Sequence, residues 1–200
     1  IFLGFAFFSK QVPAMYLILS IGFVLILYSY KKKTFNYINY CLISSIVFIL
    51  LVLLFGKFQG IRISTFFDQY IFYPQTIATE RLSKFDFTFR GVIGHFKFIY
   101  LVFIPLIYVH YKKISNSKKY FKSDEPFILL ILFFLTFSLI WHQLLTNNQI
   151  FIFFLIPLLT AFSHIALNNT EFKFKNLTSV ILIFVCVFAV TKYHLRFNES

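Results

Sequence analysis

Acidic side chains are scarce in this sequence. Asp and Glu together number 7 in 200 residues against 19 Lys and Arg, and charged residues of either sign make up only 13%. With 59% of the chain hydrophobic, a soluble domain of this length has too little polar surface and too much Phe, Ile and Leu to bury. Cysteine is nearly missing as well. Cys41 and Cys186 both fall inside apolar runs without metal-ligand or redox spacing, so they read as small core residues. No Cys/His cluster, glycine-rich phosphate loop or nucleophile elbow occurs, so neither a metal nor a bound cofactor is expected. The charged n-region of a secretory signal is also lacking, because Ile1 opens directly into an apolar run. That start reads as a helix entered midway, with an N-terminal portion expected upstream.

What the sequence has instead is apolar runs of bilayer length. A hydrocarbon core of about 30 Å takes roughly 20 helical residues, and only a helix or a closed barrel satisfies its own backbone there. The pattern predicts an all-α, polytopic transmembrane bundle with about six full spans and one truncated N-terminal helix. The truncated helix covers residues 1–8, and the full spans are expected at 13–30, 38–55, 92–109, 127–145, 150–167 and 177–190. Residues 56–91 form the longest polar stretch and read as one long outer loop. No internal repeat and no soluble domain is evident. The 32 Phe serve as generic lipid-facing residues rather than as an aromatic cofactor box.

The formal net charge of +12 does not point to nucleic acid. Most Lys and Arg lie in short clusters between apolar runs, where they orient the chain in the membrane. The loops after the second, fourth and sixth helices, counting the truncated one as the first, carry three, five and two of them. The opposite side holds Lys10, the long loop with Lys57, Arg62, Arg81, Lys84 and Arg90, and an uncharged Thr-Asn-Asn turn. The Lys31–Lys33 side is therefore assigned to the cytoplasm. Lys10, the long loop and the Asn147 turn then share the outer face, the periplasmic or exterior side of an inner (plasma) membrane.

Several residues on that face can carry chemistry, each with a plain structural reading beside it. Lys10, between two apolar stretches, is either a snorkelling turn lysine or a cation that holds a phosphate or carboxylate where helix ends meet. The aromatic segment from Ser64 to Leu82 suits a stretch lying at the interface. Glu80, Arg81 and Arg90 within or beside it can instead line a site for an anionic headgroup. His142, in Trp141-His142-Gln143, reads first as an interfacial anchor. The Asn147-Asn148-Gln149 turn reads as a helix connection.

Two stretches resemble a known family. Gly4-Phe-Ala-Phe-Phe-Ser-Lys10-Gln-Val-Pro13, running through a helix to Lys31-Lys32-Lys33, resembles the GLA-x-L-TKG-P hairpin of GT-C membrane glycosyltransferases. Those enzymes, which include the protein O-mannosyltransferases and the aminoarabinose transferase of lipid A, use polyprenyl-phosphate sugars. Leu145-Thr-Asn147, continuing through Phe151 to Pro157 and Ala161, resembles their S-x-x-KL-x-x-YLLP-x-x-P-x-LA segment. Between the two, Phe66-Phe67 followed by Glu80-Arg81-Leu82 resembles their long outer loop. Order and spacing agree across most of the chain.

The resemblance implies an inverting transferase that moves a sugar from an isoprenoid phosphate to a lipid, glycan or protein acceptor outside the membrane. It implies Lys10, Glu80, Arg81, Arg90, Asn147 and Phe151 as lipid-phosphate or substrate contacts. Lys10 matches the family lysine of the TKG turn. Asn147 falls where the family has a lysine, Phe151 where it has a tyrosine, and Gln11 where it has a glycine. The family's catalytic Asp belongs to the first outer loop, upstream of Ile1, so no catalytic residue is expected within this chain. The competing class is a polytopic transporter or lipid flippase, and a non-catalytic membrane scaffold is the third. Transporters usually hold ionisable residues at mid-membrane depth in broken helices, whereas here the charges gather at helix ends and in one outer loop.

Overall fold

The computed structural model describes residues 1–9, 11–83, 87–116, 118–146 and 154–198, with backbone alone at 11–13, 78, 81, 83, 116, 118–119, 146 and 196–198. Among the described residues every regular element is helical. In chain order these are α1 (Phe2–Ser9), α2 (Gln11–Lys32), α3 (Asn36–Phe58), α4 (Ile63–Phe67) and α5 (Tyr73–Ser83). Then follow α6 (His95–Asn116), α7 (Glu125–Thr146), α8 (Leu155–Asn168) and α9 (Lys175–Asn198). Short π turns at Asp68–Phe72 and Arg90–Gly94 and a 3-10 turn at Lys118–Lys122 complete the set. Five stretches are long and apolar enough to cross a bilayer, namely Ala14–Lys32, Asn36–Phe58, Arg90–Ser115, Glu125–Leu145 and Lys175–Leu195. The chain is a multi-pass membrane protein.

The span expected at 150–167 is represented by α8, whose 14 described residues reach about 21 Å at 1.5 Å per residue. The other spans sit where expected but run further. α2 continues through Lys31 and Lys32, whose ammonium groups lie in its last turn and complement the negative helix end. It then closes with Lys33 at φ 53°, where the Lys33 amide bonds the Tyr30 carbonyl and the Thr34 amide bonds that of Ser29. This is a Schellman stop, normally built on glycine. α3 ends in the same way on Gly60 at φ 74°, with Gly60 bonded to Lys57 and Ile61 to Gly56. At the other polarity, Glu125 and Pro126 open α7 two residues before the expected start. An acid suits a helix N-terminus, and proline in a first turn forfeits no intrahelical bond.

The stretch 56–91, expected as a loop, is largely helical. Pro74 reads as a breaker, yet α4, the π turn and α5 follow one another without a break, and the wider π turn, closed by the Tyr73 amide on the Asp68 carbonyl, directly precedes the proline. Arg62 supplies the extended joint between the turn at Gly60 and α4, at φ −72° and ψ 141°.

The chain divides into two compact units, Ile1–Phe85 and Asp86–Ser200. In the first, α1 packs on α2, α2 on α3, and α4 on the end of α3. Phe48 is buried on α3, and a Cβ at Gly4 would collide with the Phe48 ring, so that glycine is what lets α1 and α3 approach. At the Lys31–Lys33 end, Tyr28 and Tyr37 meet at 5.6 Å and Lys32 Nζ lies 5.4 Å from the Tyr28 ring centroid. Cys41, expected in a core, is exposed on α3. Within the first unit that helix is thinly covered, with most of its residues exposed.

The second unit is organised around α6, which packs mainly on α8, and then on α9 and α7. Phe96, Ile99, Val102, Phe103 and Leu106 of α6 enter one core with Leu155, Ile156 and Leu159 of α8. Pro105 lies inside α6 and has no amide to offer the Leu101 carbonyl. One residue on, the Val102 carbonyl accepts a 2.6 Å hydrogen bond from the buried Ser163 hydroxyl of α8. Membrane helices commonly satisfy proline-disturbed backbone through such serines. α6 and α8 run parallel, as this bond and the Tyr108–Phe172 contact at 5.9 Å just beyond α8 show. Phe98 meets Phe188 at 5.9 Å and Tyr193 at 6.2 Å, which makes α9 antiparallel to α6.

Candidate functional site

In the first unit the end of α1 is tied to the segment that follows α3. Phe8, two residues before Lys10, meets Phe66 at 5.8 Å and Tyr70 at 5.1 Å. Phe66 and Tyr70 are themselves 4.8 Å apart, and Phe8 also reaches Phe48 at 5.9 Å. These rings surround an apolar cavity of about 350 Å³. Its polar groups are Arg62, Gln69 and the Tyr70 hydroxyl, all from the stretch after α3. Local sequence explains the placement. The turn at Gly60 redirects the chain, α4 brings Phe66 round to the helix ends, and the π turn at 68–72 widens the helix at Gln69 and Tyr70. Such one-turn π segments recur at functional sites.

Lys10, Asn147 and Phe151 lie outside the described residues. Glu80 is exposed on α5, and Arg81 follows it on the same helix. Arg90 belongs to the second unit, exposed at the first position of the π turn that leads into α6. There Thr88 caps the helix start, its hydroxyl accepting from the Gly91 amide at 3.1 Å and its carbonyl from Val92 at 2.9 Å. The π turn leaves the Val92 carbonyl open to the Tyr100 hydroxyl, which donates to it at 3.1 Å. Of the six expected contacts, the described structure joins only Glu80 and Arg81, as chain neighbours. What it adds is Arg62, Gln69 and the ring cluster. Arg62 stood in the sequence as one of five cations in a loop, and only the fold distinguishes it, by lining the cavity.

His142 is a correction. The interfacial-anchor reading needs the ring at the surface, but His142 is 2% exposed and Gln143 beside it is also buried. Trp141 takes the outward place and stacks on Phe137 at 6.2 Å. The Gln143 Oε1 and the Thr160 hydroxyl are buried without a hydrogen-bond partner among the described residues. Gln143 lies in the second half of α7 and Thr160 in the first half of α8, so the interior is polar at that end.

The opposite end of the second unit is also polar. The His110 Nδ1 and the Tyr120 hydroxyl lie 2.6 Å apart, both residues buried, and the tautomer of His110 sets which of them donates. Burial, with the Glu125 carboxylate second, pushes the Tyr120 phenol up to about 12. Glu125 accepts a 2.6 Å ion-paired hydrogen bond from Lys113. Among the described residues no group of His, Cys, Asp and Glu is arranged to hold a metal. Compared with known protein families, with characterised proteins and with solved structures, the chain matches none.

Proposed function

We propose that this chain is the carrier-binding membrane portion of a glycosyltransferase that takes a sugar from a polyprenyl phosphate and passes it to an acceptor outside the membrane. The observation that carries the reading is the ring cluster of Phe8, Phe66 and Tyr70. It ties the end of α1 to the aromatic segment at the opposite end of α2 from Lys31 and Lys32, an arrangement that supports the GT-C resemblance. The cavity beneath suits the first isoprene units of a carrier, being apolar with rings on most sides. Arg62 at that cavity and Lys10 beyond Phe8 supply cations for the phosphate. A phosphate leaving group gathers negative charge as the glycosidic bond breaks, and fixed cations in a low-dielectric setting stabilise that charge strongly. The bond between the sugar and the phosphate oxygen breaks, releasing the polyprenyl phosphate, while the acceptor oxygen or nitrogen forms the new bond from the opposite face and gives its proton to a general base.

The test is photo-crosslinking of the purified protein in nanodiscs with a diazirine-bearing polyprenyl phosphate. Labelled peptides are expected from 1–30 and 56–83, and labelling should fall several-fold in Arg62→Ala and Lys10→Ala. Lys10→Ala should lower transfer far more than expression or thermal stability. Equal turnover in a well-folded Lys10→Ala protein, or labelling indifferent to the phosphate, rejects the reading. Flux of an intact lipid donor between leaflets without transfer would put the transporter in its place.

A further inference from the structure

A cavity in the second unit plays no part in that reading. It measures about 660 Å³, within the usual range of small-molecule sites. It opens where α6 ends, α7 begins and the chain leaves α8, and its walls include Tyr108, Lys112, Lys113, Glu125, Glu171 and Phe172. The neighbouring spans finish at Ser115 and start at Glu125 and Lys175. The cavity therefore lies at the depth of lipid headgroups, where aromatic residues and lysines concentrate.

Its charges decide what it can hold. The lining has two lysines and two glutamates, so it carries no surplus of cations for a simple anion. Lys113 and Glu125 neutralise each other at 2.6 Å. That leaves one charge of each sign. Lys112 is exposed, with its Nζ 5.3 Å from the Tyr108 ring centroid, and Glu171 is exposed on the segment after α8. Among the described residues neither enters an ion pair. Between them the Tyr108 and Phe172 rings meet edge to face at 5.9 Å and give the cavity an apolar wall. A complementary ligand carries a phosphate and a cation within a short molecule, with carbon between them. A cation that donates hydrogen bonds is held more tightly by a carboxylate than one that offers charge alone. A primary ammonium has that advantage over a quaternary one.

We propose that this cavity binds a phosphoethanolamine group, with the phosphate on Lys112 and the primary ammonium on Glu171. The group can come from a membrane lipid or from the soluble compound. The site uses residues of the second unit alone and stands whether or not the protein transfers sugars.

Native mass spectrometry of the protein, released from nanodiscs with equal phosphatidylethanolamine, phosphatidylcholine and phosphatidylglycerol, reads the selectivity directly. Phosphatidylethanolamine should be retained about tenfold over phosphatidylcholine, as one charge-assisted hydrogen bond allows. Glu171→Gln should erase that preference and leave phosphatidylglycerol retention unchanged. Glu171→Lys should turn the preference toward phosphatidylglycerol, and Lys112→Gln should weaken retention of all three. Both glutamate variants alter an exposed side chain, so thermal unfolding should match the parent. Free phosphoethanolamine that displaces the lipid identifies a soluble source, and failure to displace it identifies the lipid. Equal retention of the three lipids by the unaltered protein, or an unchanged preference in both glutamate variants, overturns the proposal.

Discussion

The two units bury their apolar side chains in different ways. In the second, α6, α8 and α9 share one continuous core from Phe96 to Ala189. In the first, Ala14, Val24 and Phe48 are the buried apolar residues among those described, and α3 is exposed along nearly its whole length. Both units are made of apolar helices, so hydrophobicity alone does not explain the contrast. Lipid tails are as apolar as leucine, and helices associate in a bilayer through close packing and hydrogen bonds. The second unit has such devices in Ser163 bonded across to Val102 and in the interdigitated leucines of α8. The first has one close approach, Gly4 against Phe48, and a set of rings gathered at one end.

That contrast can be broken most directly with leucines. Leu159 on α8 is 0% exposed and Leu50 on α3 is 54% exposed. Leu159→Ala leaves a cavity and should cost about 2–5 kcal/mol in detergent unfolding. Leu50→Ala should stay within about 0.5 kcal/mol. Equal losses would mean that the first unit has a core of its own. Next in size is Gly4→Leu, whose side chain has no room beside Phe48 and should cost about 1–3 kcal/mol. The double variant with Phe48→Ala should recover most of that loss, and no recovery would remove Gly4 as the contact that joins α1 to α3.

The effect confined to the narrowest window appears only at high pH, in the second unit. Folding keeps the Tyr120 phenol protonated, with its value raised from 10.0 to about 12. The stability this gives is fully present below pH 10. Above it the unfolded chain loses the proton first, so stability falls until about pH 12. The difference between ultraviolet titrations of the protein and of Tyr120→Phe should show one phenol titrating well above the usual 10. A Tyr120 that titrates at 10 would dissolve the enclosed pair with His110.

Much of this was legible in advance, for physical reasons. The spans follow from unbroken apolar length, and the lysine clusters mark helix ends because ammonium groups suit both the headgroup region and the negative end of a helix. The helical character of 63–83 was hidden. Pro74 and the polar residues around it mimic a loop, and nothing in the sequence announces the π turn that carries the helix up to the proline. The burial of His142 was hidden for another reason. Trp141 and His142 are chain neighbours about 100° apart around a helix, so one faces outward when the other faces in, and sequence does not say which. Arg62 could not be told from Lys57 or Arg90 without the turn at Gly60 that sets it beside Phe66. Lys10, Asn147 and Phe151 remain expectations drawn from resemblance.

The bond from Ser163 to Val102 also sets a clock. Its two ends are separated by 61 residues, which a ribosome takes roughly 3–12 s to add at about 5–20 residues per second. Throughout that interval the α6 surface has been made and its partner has not. A nascent chain therefore reaches the bilayer with one flank of α6 uncovered, and whatever insertion machinery or lipid attends it must shield that flank until α8 arrives.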